Sequence, residues 1–192
     1  PGQRLVAAAA AAGVAVVPLP GASAVLTALV ASGLPSARFS FHGFVPRGEG
    51  ERQSFLGALC AETTTMIFFE APGRLGTTLG DMALAFGAAR SACLARELTK
   101  HFETVVRDSL GVLAERFAGE TVKGECTLVV AGASAEQVNL AAAVDIEAAA
   151  QAFIAQGLSA KEIAARLAVT TGKPRRLLYQ LVLALTGARP KI

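Results

Sequence analysis

Thr64-Thr65-Met66-Ile67-Phe68-Phe69-Glu70-Ala71-Pro72-Gly73-Arg74 is the stretch on which the fold turns. Thr64 to Glu70 is too short and too continuously apolar for a surface helix, and reads as a buried strand. Ala71-Pro72-Gly73-Arg74 turns the chain, and Leu75 to Phe86 continues as a helix. Downstream the pattern repeats. Ala92 to Leu98 reads as a strand, Thr104 to Arg107 as a partner beside it, Leu110 to Phe117 as a helix, and Cys126 to Ala131 as a last strand. Upstream, Gln3 to Ala12 reads as a helix stopped by Gly13, and Val14 to Pro18 as a buried strand. Leu19 to Ser23 forms a turn in which Ser23 or a neighbour caps a helix over Ala24 to Ser32. Gly33-Leu34-Pro35 ends that helix. Phe39 to Phe44 reads as a short strand with Phe39, Phe41 and Val45 on one face, Pro46 to Glu51 as a polar loop, and Arg52 to Ala61 as a helix. Strands alternating with helices predict a layered α/β domain, a mixed sheet flanked by helices.

Past residue 132 the pattern changes. Gly132 to Ala143 reads as a linker, and the chain beyond it is helical: Asp145 to Gln156, a second helix opened by the capping box Ser159-Ala160-Lys161-Glu162, and a third over Arg175 to Leu185 after the break at Gly172-Lys173-Pro174. The expected organisation is residues 1–35, 36–132 and a small helical module over 145–190 that resembles a helix-turn-helix. The opening helix and strand are the second half of a strand–helix–strand unit. The expectation is therefore a fragment that lacks an upstream strand and part of its ligand site, and is inactive by itself.

Of the 192 residues, 53% are hydrophobic and 17% charged, which is ample for a core and argues against disorder. No apolar run reaches the roughly 18 residues a membrane span needs, so a soluble chain without a membrane partner is expected. Cys60, Cys93 and Cys126 are odd in number and far apart, with no Cys-x-x-Cys pair; buried thiols in a reducing cytoplasm are expected, and no metal site. The net charge of +3 is uneven. From Asp145 onward there are seven Lys or Arg against three Asp or Glu; before it, eleven against twelve. A basic tail suits phosphate, and equally a solvated face.

Four loops that follow or precede strands hold chemistry-bearing residues. Pro20-Gly21-Ala22-Ser23-Ala24 is a helix entrance, either a plain cap or a place where a ligand approaches backbone N–H groups. Glu70 and Arg74 form an ion pair at a strand end, either stabilising or at a cleft mouth. Arg96-Glu97-Leu98-Thr99-Lys100-His101-Phe102-Glu103 packs five ionisable side chains into eight residues. Such density is costly unless paired or solvated, and could hold phosphate through Arg96 or Lys100 and move a proton with Glu97 or Glu103. Lys123-Gly124-Glu125 precedes the last strand. There is no phosphate-binding Gly-x-x-x-x-Gly-Lys-Ser/Thr loop, no Gly-x-Gly-x-x-Gly, no His-Glu-x-x-His, and neither His42 nor His101 has a convincing serine context.

Taken in order, Val16-Val17-Pro18-Leu19-Pro20-Gly21-Ala22-Ser23-Ala24, Ser32-Gly33-Leu34-Pro35, Phe41-His42-Gly43-Phe44-Val45-Pro46, Phe68-Phe69-Glu70-Ala71-Pro72 with Arg74, Ala95-Arg96-Glu97-Leu98-Thr99-Lys100 with Glu103, and Lys123-Gly124-Glu125 resemble the tetrapyrrole-methylase superfamily. They look most like its ribosomal RNA branch, which methylates the 2′-hydroxyl of a cytidine in the small subunit. The resemblance implies a two-domain α/β enzyme, usually a homodimer, that binds S-adenosylmethionine between its domains and acts on small-subunit ribosomal RNA. It implies Ser23, Ala24, Phe69, Leu98 and Glu125 on the adenosine side, and Glu70, Arg74, Arg96, Glu97, Lys100 and Glu103 facing RNA.

Methyl transfer is an in-line displacement, so positioning carries much of the acceleration. The candidate catalytic residues are Lys100, Glu97, Glu70 and Arg74, with Lys100 stabilising oxyanion charge or Glu97 accepting a proton. In the tail, Leu158, Ile163 and Leu167 form an apolar face. Lys173, Arg175, Arg176 and Tyr179 form a basic surface expected to grip RNA backbone, or else a docking face. Two rivals remain: a methyltransferase acting on a corrin precursor, and a non-catalytic RNA-binding or assembly module.

Overall fold

The computed structural model describes residues 2–135, 137, 146–171 and 175–186. In chain order the elements are α1 (Gln3–Ala11), α2 (Ala24–Ser32), β1 (Phe39–Phe44), α3 (Glu49–Ala58), β2 (Thr65–Glu70), a 3-10 turn (Pro72–Arg74), α4 (Leu75–Phe86), β3 (Ser91–Arg96), β4 (Thr104–Ser109), α5 (Leu110–Phe117), β5 (Cys126–Val130), α6 (Ile146–Ala155), α7 (Ala160–Thr171) and α8 (Arg175–Thr186). The five strands form one mixed sheet of order β1-β2-β5-β3-β4. β1 and β2 are parallel, and the other three neighbour pairs are antiparallel.

β2 and β5 lie inside the sheet with helices on both faces, which is why their sequences are continuously apolar rather than alternating. One face carries Met66, Phe68, Leu94, Leu128 and Val130 against α4 and α5. The other carries Ile67, Cys93, Ala95 and Val129 against Ala28 and Leu29 of α2. Phe68, Leu94 and Leu128 are essentially inaccessible, and burial of each contributes about 1.5–3 kcal/mol. Gly76 lets α4 meet α5, because a Cβ there would collide with the carbonyl of Phe117.

Three expectations shift. Val14 to Pro18 is not a strand: the stretch runs irregularly between α1 and α2, with Val17 76% exposed. A strand needs a hydrogen-bonded neighbour, and none of the five strands pairs with it. α3 begins at Glu49, three residues before Arg52, entered through extended Gly48, and Glu49 and Glu51 sit in the first turn, where carboxylates favour the helix dipole. β1 keeps Phe39 and Phe41 on one open face, but Val45, past the irregularity between Phe41 and Phe44, is buried in the core instead; Phe41 and Phe44 contact only the half-buried Phe69 ring at 4.8 and 5.6 Å among described aromatics.

Helices α6 to α8 have a core of their own: Ala150, Ile163, Ala164, Leu167, Leu178 and Val182. The expected capping box is present, with Ser159 N–H donating to Glu162 Oε2 at 2.9 Å and Glu162 N–H to Ser159 Oγ at 3.4 Å. This module docks through α7 onto α3 and α4.

Candidate functional site

Glu70 pairs with Cys126, and Arg96 also pairs with Cys126. The ends of β2 and β3 and the start of β5 therefore share one edge of the sheet, which brings Glu70, Glu97 and Glu125 to a common rim. α2 lies across the adjoining face. Its far end is tied down where Thr65 Oγ1 donates to the carbonyl of Pro35 at 2.6 Å and where Arg107 donates to the carbonyl of Ala31. Thr65 starts β2 at the opposite edge, so the entrance of α2, with Ser23 and exposed Ala24, points back toward the rim. Ser23 caps by position only: its side chain makes no cap bond, and its carbonyl accepts from Thr27 N–H and Thr27 Oγ1 at 2.9 and 2.8 Å.

After β3 the backbone takes left-handed conformations at Glu97 (φ 50°) and Thr99 (φ 65°), unusual for residues with a Cβ. Hydrogen bonds hold this turn. Glu97 N–H donates to Glu125 O at 3.0 Å and Lys100 N–H to Glu97 O at 3.0 Å. Glu103 reaches back to accept from Thr99 N–H at 2.6 Å. Arg96 spans the rim, donating to Lys123 O at 3.2 Å and to Thr104 Oγ1 at 3.0 Å. The turn places the Lys100 ammonium 2.9 Å from Glu97 Oε1 and 3.0 Å from Glu125 Oε2. The same Glu97 oxygen accepts from Glu125 N–H at 2.9 Å. Gly124, at φ 93°, makes this possible, since a Cβ there would lie 2.5 Å from Glu97 Cγ.

The electrostatics follow from these contacts. The Glu125 N–H and the Lys100 ammonium hold the Glu97 carboxyl below its usual range. The Glu97 and Glu125 carboxylates push the Lys100 ammonium above its own. At neutral pH Glu97 is therefore a carboxylate and Lys100 an ammonium.

Glu70 and Arg74 are engaged differently. Glu70 is 2% exposed. Its oxygens accept from Ala71 N–H at 2.6 Å and Thr78 Oγ1 at 2.5 Å, and Arg74 completes the ion pair. Arg74 also donates to the carbonyls of Val45 and Pro46 at 3.2 Å each. The pair clamps the end of β2 to α4 and to the loop after β1. Phe69 and Leu98 are half-buried, Leu98 against the cluster under α2.

The RNA candidates divide between two places. Arg96 and Glu103 stand at the rim. Arg175, Arg176 and Tyr179 line a separate open cleft with Lys161 and Ser54, none of them rim residues. Lys173 lies outside the described residues. Lys161, read in the sequence only as part of a capping box, and Ser54 were missed: a signal for Lys161 existed in the basic count of the tail, but Ser54 had none. Also unread was the contact of Ser40 Oγ with His42 Nε2 at 2.8 Å. His42 stacks on Phe68 at 5.1 Å, and its burial lowers its pKa. Among the described residues no carboxylate hydrogen-bonds that ring, so the pair belongs to the packing of β1 against α3.

The five strands form a mixed sheet with a charged rim at shared strand ends, and residues 1–114 match the family described as tetrapyrrole (corrin/porphyrin) methylases. The chain belongs to that family. It is similar to proteins named ribosomal RNA small subunit methyltransferase I. The one from Synechocystis sp. is 42% identical over 96% of this chain and 66% of its own length. The one from Mycobacterium tuberculosis is 47% identical over 95% of this chain and 63% of its own. The one from Pseudomonas aeruginosa is 42% identical over 97% of this chain and 67% of its own. The chain thus spans about two thirds of the length of these relatives.

Proposed function

We propose that the protein acts as an S-adenosylmethionine-dependent methyltransferase that modifies the 2′-hydroxyl of a cytidine in small-subunit ribosomal RNA, in the cytoplasm and as a homodimer. The observation that carries the reading is the Lys100 ammonium held between Glu97 and Glu125 on the rim. The names of its relatives supply the substrate class.

S-adenosylmethionine, when bound, supplies an electrophilic methyl group. The residues present suit such a ligand: half-buried Phe69 and Leu98 offer an apolar wall, and the well-exposed Glu125 carboxylate offers acceptors for hydroxyl or ammonium groups. Ser23 and Ala24, at the entrance of α2, belong to the same side. Lys100 keeps its proton at neutral pH, so its role is to stabilise charge developing on the ribose oxygen rather than to remove a proton. Glu97, held ionised by its two donors, is a weak proton acceptor and works by aiming Lys100. Glu103 fixes the same turn through Thr99. Glu70 and Arg74 set the end of β2 from beneath, and Arg96 ties β3 to β4 and the 123–125 loop.

The helical module grips RNA backbone through Arg175 and Arg176. We divide the chain as residues 1–35, 36–132 and 145–190. Leu5, Val17, Leu19, Leu26, Val30 and Phe44 are large apolar side chains left exposed, which supports a second subunit. Among the described residues no helix is long and apolar enough to cross a membrane.

Replacing Lys100 by Met in the full-length chain tests the reading. Transfer of labelled methyl from S-adenosylmethionine to small-subunit RNA should be lost, and calorimetric binding of the cofactor should persist. Retained turnover removes Lys100 from the mechanism.

A further inference from the structure

We infer that the groove between α3, α4 and the α7–α8 pair is a single-nucleotide subsite for RNA, away from the rim, in which phosphate lies on Lys161, Arg175 and Arg176 and an unstacked base enters the adjoining apolar cleft. The inference deepens the proposed function and rests on RNA being the substrate.

The groove has two compartments that share Ser54 and Arg175. The open one, about 420 Å3, is lined by Ser54, Lys161, Arg175, Arg176 and Tyr179. Three cations, a phenol and a hydroxyl converge there, a donor set for phosphate oxygens. The other, about 240 Å3, has Gly57, Leu84, Ala85, Ala168 and Val169 among its walls, with Arg166 at its side. That volume is below the roughly 300 Å3 at which pockets for drug-sized ligands begin, so it holds one heterocycle and excludes a tetrapyrrole. Gly57 opens the floor: a Cβ there would still be 4.0 Å from the carbonyl of Ala168.

Among the described residues, Asp81 is the one acidic residue lining either compartment; Glu49, Glu51 and Glu162 line neither. Asp81, at the wall of the apolar compartment, accepts from Arg52 Nε at 2.5 Å and is neutralised by it. On α7, Glu162 is tied to Ser159 N–H and Oγ at 2.9 and 2.6 Å. On α3, Glu49 accepts from Gln53 at 3.3 Å, and Glu51 sits beside Gly48 at the helix start.

An apolar slot next to a phosphate clamp is of no use to a duplex, whose bases are stacked and paired. It suits a single strand with one base turned out, the mode by which sequence-bearing RNA is usually held. Such a site would anchor the RNA at a fixed distance from the rim and set which nucleotide reaches Lys100.

The test is fluorescence anisotropy of the full-length chain with a fluorescein-labelled unstructured 12-nucleotide RNA, and with the same strand annealed to its complement. The single strand should bind tighter than the duplex by about tenfold, the scale of one base contact. Arg175→Ala with Arg176→Ala should weaken binding and reduce the salt slope by about 1.4, or about 0.7 for each lost phosphate contact. Ala165→Leu, which fills the apolar compartment, should abolish the preference for the single strand and leave the salt slope unchanged. Equal binding of single strand and duplex by the unmodified protein, or unchanged binding in the double arginine variant, overturns the inference. Lys100→Met, which lies outside both compartments, should keep the preference for single strand over duplex whatever its overall affinity. Absent methyl transfer with the strand preference intact therefore sinks the proposed function alone, and normal transfer without the preference sinks the subsite alone.

Discussion

Thr78→Val isolates the clamp under the rim. Thr78 is fully buried on α4, and its hydroxyl donates to Glu70 Oε2 at 2.5 Å. Valine has nearly the same shape, is also β-branched and has a similar helix propensity, so neither a cavity nor a change in backbone preference accompanies the substitution. What is lost is one hydrogen bond to a buried carboxylate, leaving Oε2 without that donor. A hydrogen bond to a charged group is worth roughly 1.5–3 kcal/mol, and the penalty of stranding a buried acceptor falls in the same range. The expected cost is about 2 kcal/mol. For a chain of this size 1 kcal/mol moves Tm by roughly 2–4 °C, so a fall of about 4–8 °C is expected. Urea titration should show a lower midpoint with an unchanged slope, because the surface exposed on unfolding is the same. If the midpoint and Tm match those of the unmodified protein, the Glu70–Thr78 contact contributes nothing and the clamp reading fails.

Gly124→Ala should cost about 1–2 kcal/mol from the left-handed backbone alone. Because its Cβ would press on Glu97 Cγ at 2.5 Å, it should also reduce methyl transfer far more than it reduces cofactor affinity, as kinetics and calorimetry would show. The rim trio also predicts a pH dependence. Glu97, depressed below its ordinary 4.5, stabilises the fold above that value and loses its contribution as pH falls through its lower folded value. Lys100, raised above its ordinary 10.5, contributes below that value and loses it as pH rises through its higher folded value. The difference in urea midpoint between the unmodified chain and Lys100→Met should therefore be flat across neutral pH and shrink at both extremes; a difference that changes between pH 6 and 8 contradicts this assignment. Cys126, with its thiol pushed up to about 11 by burial, and buried Cys93, also raised by burial, should resist alkylation at pH 8 in the folded chain and react after unfolding, as mass spectrometry would report.

Local chemistry made much of the structure legible in advance. α2, α4 and α5 begin and end where the capping, turn and periodicity signals place them, and the Ser159–Glu162 box closes as its spacing requires. Those signals act within a few residues, so one chain segment contains all of the information. The charged rim residues were also visible, since five ionisable side chains after an apolar strand stand out in any sequence.

Partners that only folding brings together could not be read in this way. Val14 to Pro18 has the composition of a strand, yet strand identity depends on a hydrogen-bonded neighbour elsewhere in the chain. β5 enters between β2 and β3, and this long-range pairing is what sets Glu125 beside Glu97. The position of Glu70 at a strand end says nothing of the Thr78 hydroxyl eight residues on, which, with Ala71 N–H and Arg74, engages its carboxylate. The cleft of Ser54 with Lys161 and Arg175 joins segments more than a hundred residues apart. The sequence thus determined the elements and the kinds of chemistry, through short-range sterics and hydrogen bonding. The tertiary structure decided which charges are paired, which are buried and which face one another, because desolvation and Coulomb energies depend on distances through space that chain order does not specify.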